Sequence, residues 1–159
     1  MVFLLILLRP IGNVFAEDIL EKLREDSRFG VGIGVPYGFF GANIEASVLD
    51  YVSLSGGLGA LHNEGCWVIG GRVYPFKRNV RFSPRLSAFY GTVAILKNEA
   101  GGTINYSTLL GWSFGVGFDW KFYGRNSVDF DVIYRVFSLP SGYSDANDES
   151  FLLGYGYHF

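Results

Sequence analysis

The sequence predicts an all-β fold: an eight-stranded antiparallel up-and-down transmembrane β-barrel, preceded by a short N-terminal amphipathic segment. Two patterns and the composition lead to this prediction. Residues 111–122 read GWSFGVGFDWKF, so large apolar side chains alternate with small, polar or charged ones, as on the two faces of a strand. Residues 151–159, FLLGYGYHF, repeat this alternation with aromatic rings.

The composition favours one domain with an apolar outer surface. Charged residues are 18% of the 159 residues, below the roughly 25% of an ordinary globular protein, while aromatic residues reach 18% and glycines number 22. A net charge of -2 without a basic run provides no electrostatic footprint for nucleic acid, so no nucleic-acid partner is expected. The lone Cys66 allows neither an internal disulfide nor a metal cluster, and we interpret it as a small hydrophobic strand residue.

The first 27 residues are expected to precede the barrel. Residues 1–16 contain the apolar run VFLLILL and end in VFA, which resembles the cleavage site of a signal peptide. The run is far shorter than the roughly 20 residues of a spanning helix, so it predicts export rather than anchoring. Residues 17–27, EDILEKLREDS, place apolar side chains at helical spacing, which predicts a periplasmic leader or a short helix.

Residues 28–159 are predicted to form the barrel. Alternating segments follow one another, each long enough for the roughly 9 to 11 residues of a tilted membrane strand. The predicted strands are 28–36, 39–49, 51–61, 66–76, 80–96, 106–123, 126–137 and 150–159.

The predicted connections alternate in length, which places short turns at one rim of the barrel and longer polar loops at the other. Barrels of outer membranes have short periplasmic turns and longer extracellular loops. Tight turns are expected at 49–50, 77–79 and 124–125, and longer loops at 61–65, 97–105 and 138–149. The connection 35–38 lies at the long-loop rim but is short.

The size of an eight-stranded barrel decides which face points inward. Its interior barely accommodates its own side chains, and the rings of residues 111–122 would overfill it once the seven other strands also contribute. The small face is therefore predicted to line the interior, and the bulky face to meet lipid. Two aromatic girdles are expected, one at each rim. Their members are Trp67, Tyr90 and Trp112 near the long loops, and Phe82, Trp120 and Phe122 near the short turns.

Five charged residues are predicted to form one buried layer in the lower half of the lumen. They share the parity of the small face and lie about four to six residues from the short turns, a depth that modest shear keeps together. Buried charges are tolerated when they pair and hydrogen-bond, so the layer would plug the barrel. This lumen ion-pair layer is Glu45, Arg72, Arg85, Asp119 and Asp131. Asp129 also shares the inward parity.

The architecture and the aromatic chain end resemble the small eight-stranded outer-membrane β-barrel proteins of Gram-negative bacteria, the group around the OmpA transmembrane domain, OmpX and OmpW. The resemblance covers roughly residues 28–159. It implies the cell outer membrane, a monomer, and three partners: membrane lipid, lipopolysaccharide and the outer-membrane assembly machinery. The C-terminal signal that this machinery reads corresponds to Phe151, Leu153, Tyr155, Tyr157 and Phe159.

The resemblance leaves the activity open, because the group includes adhesins, structural anchors, lipid-modifying enzymes and routes for apolar solutes. We expect a structural or surface-interaction role through the outer loops, with no catalysis. One alternative is a lipid A-modifying enzyme, in which His62 beside Glu64 would act on a lipid ester, although no His-x-Ser pairing occurs in a strand. Another is a channel for small hydrophobic solutes through a gap in the wall.

The remaining candidates for chemistry are predicted to be structural. His158 shares the inward parity, which favours a role in lumen packing. The loop carboxylates Asp145, Asp148 and Glu149 could meet Ca²⁺, but they lack ordered ligand spacing. The glycine-rich run GVGIGVPYG lacks the following helix that a dinucleotide site needs. No catalytic residue, metal or cofactor is therefore predicted.

Overall fold

The computed structural model describes residues 27–76, 80–100, 103–123, 126–145 and 150–159. The predicted signal peptide, the leader up to residue 26, and the predicted turns at 77–79 and 124–125 lie outside these ranges. Within them, no helix has the length and apolar character needed to cross a bilayer.

Strands make up most of the described chain. Their bounds are β1 Ser27–Gly34, β2 Phe39–Leu49, β3 Val52–Leu61, β4 Glu64–Val73, β5 Phe82–Ala100, β6 Thr103–Tyr123, β7 Asn126–Val136, β8 Ser144–Asp145 and β9 Phe151–His158.

Eight of these strands close into a ring. From β1 to β7 each strand pairs antiparallel with the next, β7 pairs with β9, and β9 returns to β1. The two-residue β8 stands outside the ring and pairs with β5 at Leu96 and Lys97. The predicted eight-stranded antiparallel up-and-down barrel is confirmed.

The two faces of the wall are sorted as the alternation predicts. On β6, Trp112, Phe114 and Trp120 point outward and about half of each side chain is exposed, whereas Ser113 and Asp119 point inward and are fully buried. The same alternation runs along β7 and β9. The barrel therefore has an apolar outer surface and a polar lower interior.

Two predicted loops at the long-loop rim are wrong. The ladder between β5 and β6 continues to the pair Ala100 and Thr103, so the expected loop 97–105 is the end of a long hairpin. In place of the expected loop 61–65, β3 and β4 are joined by the two-residue turn His62–Asn63, with positive φ angles of 52° and 66°. Positive φ at both central residues matches the right-handed twist of a hairpin. These residues are predicted to be loops because they are polar. Strand residues beyond the apolar part of the outer surface are polar as well, so polarity does not distinguish a loop from the end of a strand.

The first connection also differs from the prediction, since it folds into the barrel instead of standing outside. β1 ends at Gly34, and Val35–Tyr37 form a short 3₁₀ turn whose side chains are buried. The turn ends at Gly38, which has the left-handed φ of 62° that glycine adopts without strain.

Apolar side chains fill the interior toward the long-loop rim. One cluster joins Val35, Val68, Phe89 and Ile133, and Leu152 packs against it. A second cluster joins Phe39, Cys66 and Ile95, with Leu61, Tyr106 and Leu152 packed against it. Cys66 is thus a buried strand residue in an apolar environment.

Candidate functional site inside the barrel

The lower interior holds a group of buried ionic side chains, which we call the interior charge cluster. Inward positions on β1, β2, β4, β5, β6 and β7 supply them, and each is at most 5% exposed. The cluster consists of Arg28, Glu45, Arg72, Arg85, Asp119, Asp129 and Asp131. It therefore contains three arginines and four carboxylates.

Glu45 is the acceptor at one side of the cluster. It forms an ion pair with Arg72, and its Oε1 accepts hydrogen bonds of 2.6 Å from the hydroxyls of Ser53 and Tyr74. Hydrogen bonds from several donors are what make a buried carboxylate tolerable.

Arg85 binds the two carboxylates of β7. Its Nε donates to Asp131 Oδ1 at 3.1 Å, and its Nη2 donates to Asp131 Oδ2 at 2.5 Å and also to Asp129. The planar guanidinium thereby makes a two-point contact with Asp131, the geometry in which arginine pairs most strongly. Arg72 Nη2 lies 3.6 Å from Asp129 and 3.7 Å from Asp131 and links this pair to Glu45.

Arg28 extends the cluster to β6. Its Nη1 donates to Asp119 Oδ2 at 2.7 Å and to Ser127 Oγ at 2.9 Å, and its Nη2 lies 3.9 Å from Glu45. The cluster is therefore one connected network across six strands.

A phenol from the inward-folded turn caps the network. Tyr37 donates its hydroxyl hydrogen to Asp129 Oδ1 at 2.6 Å, and its oxygen lies 2.8 Å from His158 Nε2. Because the phenol hydrogen is directed at the carboxylate, His158 Nε2 serves as donor to the phenol oxygen. His158 on β9 is fully buried, at the inward position expected for it.

Inward glycines give this turn its space. A side chain at Gly57 would overlap the Pro36 carbonyl, and one at Gly156 would overlap the Tyr37 ring. Asn43 holds the turn in place, since its Nδ2 donates to Pro36 O at 2.7 Å and to Ser55 Oγ at 2.8 Å. The glycine-rich face thus accommodates a folded segment.

All five residues of the predicted lumen layer lie in the interior charge cluster. Glu45 contacts Arg72, Arg85 contacts Asp131, and Asp119 contacts Arg28. The prediction did not include Arg28, Asp129 and Tyr37 in the layer. Arg28 and Asp129 share the inward parity, which is the signal that could have found them, whereas Tyr37 lay in a segment expected to form an outer connection.

The candidate residues predicted at the long-loop rim contact residues outside the interior charge cluster. Asp145, one of the loop carboxylates, pairs with Arg135 at 2.8 Å, and Arg135 also donates to Val93 O at 2.8 Å. Asp148 and Glu149 lie outside the described residues. His62 stacks on the Tyr106 ring with centroids 4.7 Å apart. Over the described ranges, no group of three or more His, Cys, Asp and Glu side chains is placed to hold a metal ion.

Two groups of outward aromatic side chains lie toward the two rims. Trp67, Tyr90 and Trp112 contact one another in sequence, with ring centroids 6.2 and 5.2 Å apart. Toward the short turns, Phe118 lies between Phe82 and Phe130 at 4.8 and 5.8 Å.

A solved structure shares this architecture. The N-terminal β-barrel domain of Pseudomonas aeruginosa OprF superposes with a TM-score of 0.54 over 84% of this chain and 96% of that chain. The shared fold is a closed eight-stranded β-barrel. Sequence identity is 15%, so the likeness concerns the fold alone. No family model matches the sequence, and no curated protein matches it either.

Proposed function

We propose that the protein is an outer-membrane β-barrel with a closed, charge-paired lumen and a structural or surface-interaction role. The observation that carries this proposal is the polarity of the wall, with rings outside and paired ions inside. In water, this arrangement would expose a continuous apolar surface, which soluble monomers rarely carry. In a bilayer, the same arrangement places each face in a matching environment.

The height of the apolar belt supports the membrane assignment. Trp112 and Trp120, one near each rim, are eight residues apart on β6. At about 3.3 Å per residue they are separated by about 26 Å along the strand. A strand tilt of about 40° reduces the vertical distance to about 20 Å, close to the apolar band of about 25 Å in such barrels.

The closed lumen is supported by the layers stacked inside the ring. The interior charge cluster fills the lower part, the turn with Tyr37 lies next to it, and the two apolar clusters lie toward the long-loop rim. The arginines of the cluster are nearly inaccessible, which an aqueous channel along the axis would not allow.

We propose no catalytic role for the two histidines. His158 is buried beneath Tyr37, where a lipid ester has no access. His62 is stacked on Tyr106 at the tip of the β3–β4 hairpin. The long-loop rim would then act by binding, and lipopolysaccharide and surface ligands are its proposed partners.

The C-terminal strand is proposed as the signal for the outer-membrane assembly machinery. Alternate side chains of β9 and the final residue point outward and are exposed, where a partner can read them before the ring closes. These are Phe151, Leu153, Tyr155, Tyr157 and Phe159.

Refolding of the purified barrel tests the proposal. The polypeptide should gain β-structure in detergent micelles or lipid vesicles, and in planar bilayers it should give no conductance steps while a general porin does. A folded, monodisperse protein in buffer without detergent would contradict the membrane assignment. Stable conductance would contradict only the proposal that the lumen is closed, and not the membrane assignment.

A channel for small hydrophobic solutes is the second candidate, and one feature of the wall favours it. β9 pairs with β1 only up to Tyr155, whereas its pairing with β7 continues to Phe151. At this step a pocket of about 330 Å³ reaches from the outer Leu153 to the inner Leu152 and Phe39. Uptake of a small apolar solute by cells would test it, because a route through the wall should raise uptake above that of cells without the protein.

A further inference from the structure

We infer that the outer part of β5 is a lid over the mouth of the barrel at the long-loop rim, held shut by an ion pair between Arg135 and Asp145. The lid consists of residues 93–96, and the short strand β8 pairs with it at Leu96. Such a lid controls access from the long-loop rim to the apolar interior, a property that the proposed function does not include.

The hairpin of β5 and β6 leaves the wall of the ring at a pair of facing glycines. The ladder of β5 with β4 ends at Gly91, and the ladder of β6 with β7 ends at Trp112. Gly91 pairs with Gly111 across the hairpin, so the hairpin separates from the ring where two residues lack side chains. A Cβ at Gly91 would overlap the carbonyl oxygen of Trp67, and one at Gly111 would lie 2.7 Å from the carbonyl oxygen of Val136. The glycines therefore allow the hairpin to bend here.

A bulge changes the direction of β5 directly beyond these glycines. The pairing with β6 passes from Thr92 to Ala94, so Val93 is the extra residue of the bulge, and a bulge bends its strand. Successive side chains of a strand point to opposite faces, yet residues 93–96 are all at most 5% exposed. Both faces of the lid are therefore covered, whereas the wall below exposes one face.

The lid crosses the mouth above the apolar interior. Ile95 packs with Phe39 of β2 and Cys66 of β4, and Leu152 of β9 packs against the same cluster. Both β2 and β9 lie three strands away from β5 around the ring, in opposite directions. A side chain of β5 that contacts both has to reach across the mouth. The lid thereby separates Cys66 from the solution at the long-loop rim.

Arg135 on β7 holds the lid at both of its ends. Its Nη1 donates to the carbonyl oxygen of Val93 at 2.8 Å, and its Nη2 lies 2.8 Å from Asp145 Oδ2. Asp145 in turn is the β8 residue that pairs with Leu96. Arg135 and Asp145 are only 2% and 7% exposed, so water screens their attraction less than it screens a surface pair.

The lid can move without breaking the ring. In the part of the chain that the structure describes, the hairpin beyond Gly91 and Trp112 shares no ladder with β4 or β7. Local opening of such a segment costs less free energy than unfolding of the whole domain. Loss of the ion pair should therefore increase the fraction of barrels with an open mouth, while the ladders of the ring stay intact.

The reaction of Cys66 with a maleimide reports the opening in the refolded barrel in micelles. Arg135→Ala and Asp145→Asn should each raise its rate about tenfold or more. Asparagine has the shape of aspartate, so Asp145→Asn removes the charge with little change in packing. Ser144→Ala is the matched control on β8, because it removes only an exposed hydrogen bond of 3.5 Å to the carbonyl oxygen of Lys97 and should keep the wild-type rate.

Arg85→Ala distinguishes opening of the lid from unfolding of the whole barrel. It breaks a buried ion pair in the lower lumen, so it should destabilise the barrel but leave the rate at Cys66 close to that of wild type. Hydrogen exchange is the second measurement. In Asp145→Asn the amides of residues 93–96 should exchange faster than in wild type, and those of residues 86–91 should not.

Four results would overturn the inference. These are wild-type rates at Cys66 in both Arg135→Ala and Asp145→Asn, an equal rise in Ser144→Ala, an equal rise in Arg85→Ala, and faster exchange that extends over residues 86–91. The membrane assignment is tested separately by insertion into vesicles and does not depend on these results.

Discussion

Arg85 balances two buried carboxylates, so its loss should lower the stability of the barrel. Arg85→Ala leaves Asp129 and Asp131 close together and without their nearest cation. Breaking a buried ion pair from one side costs about 3–5 kcal/mol. We expect the free energy of unfolding, measured by urea titration in micelles, to fall by about that amount.

Leu86→Ala is the control for this prediction. Leu86 follows Arg85 on β5, points outward and is 52% exposed, so its truncation removes only contacts of the apolar outer surface. Equal losses of stability for the two variants would show that the interior charge cluster contributes little.

Tyr37 tests the hydrogen bonds that join the inward turn to the cluster. Tyr37→Phe keeps the ring but removes the donor to Asp129 and the acceptor for His158. Hydrogen bonds to charged groups contribute about 1.5–3 kcal/mol, and we expect a loss of unfolding free energy in that range. Tyr155→Phe, which removes a phenol from the exposed outer face, should change it far less.

At this scale, the sequence predicts which side chains face inward but not which of them pair. Parity along each strand placed Glu45, Arg72 and Arg85 inside, and the cost of burying a lone charge required partners for them. The partners depend on how far each strand is shifted against the next, which brings Arg28 at the start of β1 to Asp119 on β6. Alternation carries no information about that shift.

At the scale of a single strand, two neighbouring glycines of β3 allow a matched comparison of stability. Gly57 faces the interior, where an added methyl group would overlap the Pro36 carbonyl of the inward turn, while Gly56 faces outward into open space. Gly57→Ala should lower the free energy of unfolding by about 1–3 kcal/mol through overpacking. Gly56→Ala should leave it unchanged or raise it slightly. A reversed order in urea titrations would contradict the packing of the turn inside the barrel.

The strands themselves follow from the sequence, and the connections at one rim do not. Alternation located β2 at residues 39–49 as observed, because its inward side chains in the lower half are polar and its outward side chains are apolar. Beyond the apolar belt this contrast fades, so the outer parts of β5 and β6 read as a polar loop. The turn at Val35–Tyr37 folds inward for another reason: the space it fills is left by glycines on other strands, including Gly57 on β3 and Gly156 on β9.

The orientation of the whole molecule is testable on intact cells. Gly142 lies in the exposed segment between β7 and β8 at the long-loop rim, and Asp50 lies in the short turn between β2 and β3. A membrane-impermeant maleimide should label Gly142→Cys on intact cells but label Asp50→Cys only after the membrane is opened. The native Cys66 is 3% exposed, so the unsubstituted protein should not be labelled and serves as the negative control. Labelling of Asp50→Cys on intact cells would contradict this orientation.

Ring closure by β9 places a limit on when the protein can fold. β9 is the last described strand along the chain, and it alone joins β7 to β1. Until the residues of β9 have left the ribosome, β1 and β7 each expose an edge of unpaired backbone groups. Such strand edges promote aggregation. The ring can therefore close only once β9 is available, and the chain stays in an unclosed, aggregation-prone form until then.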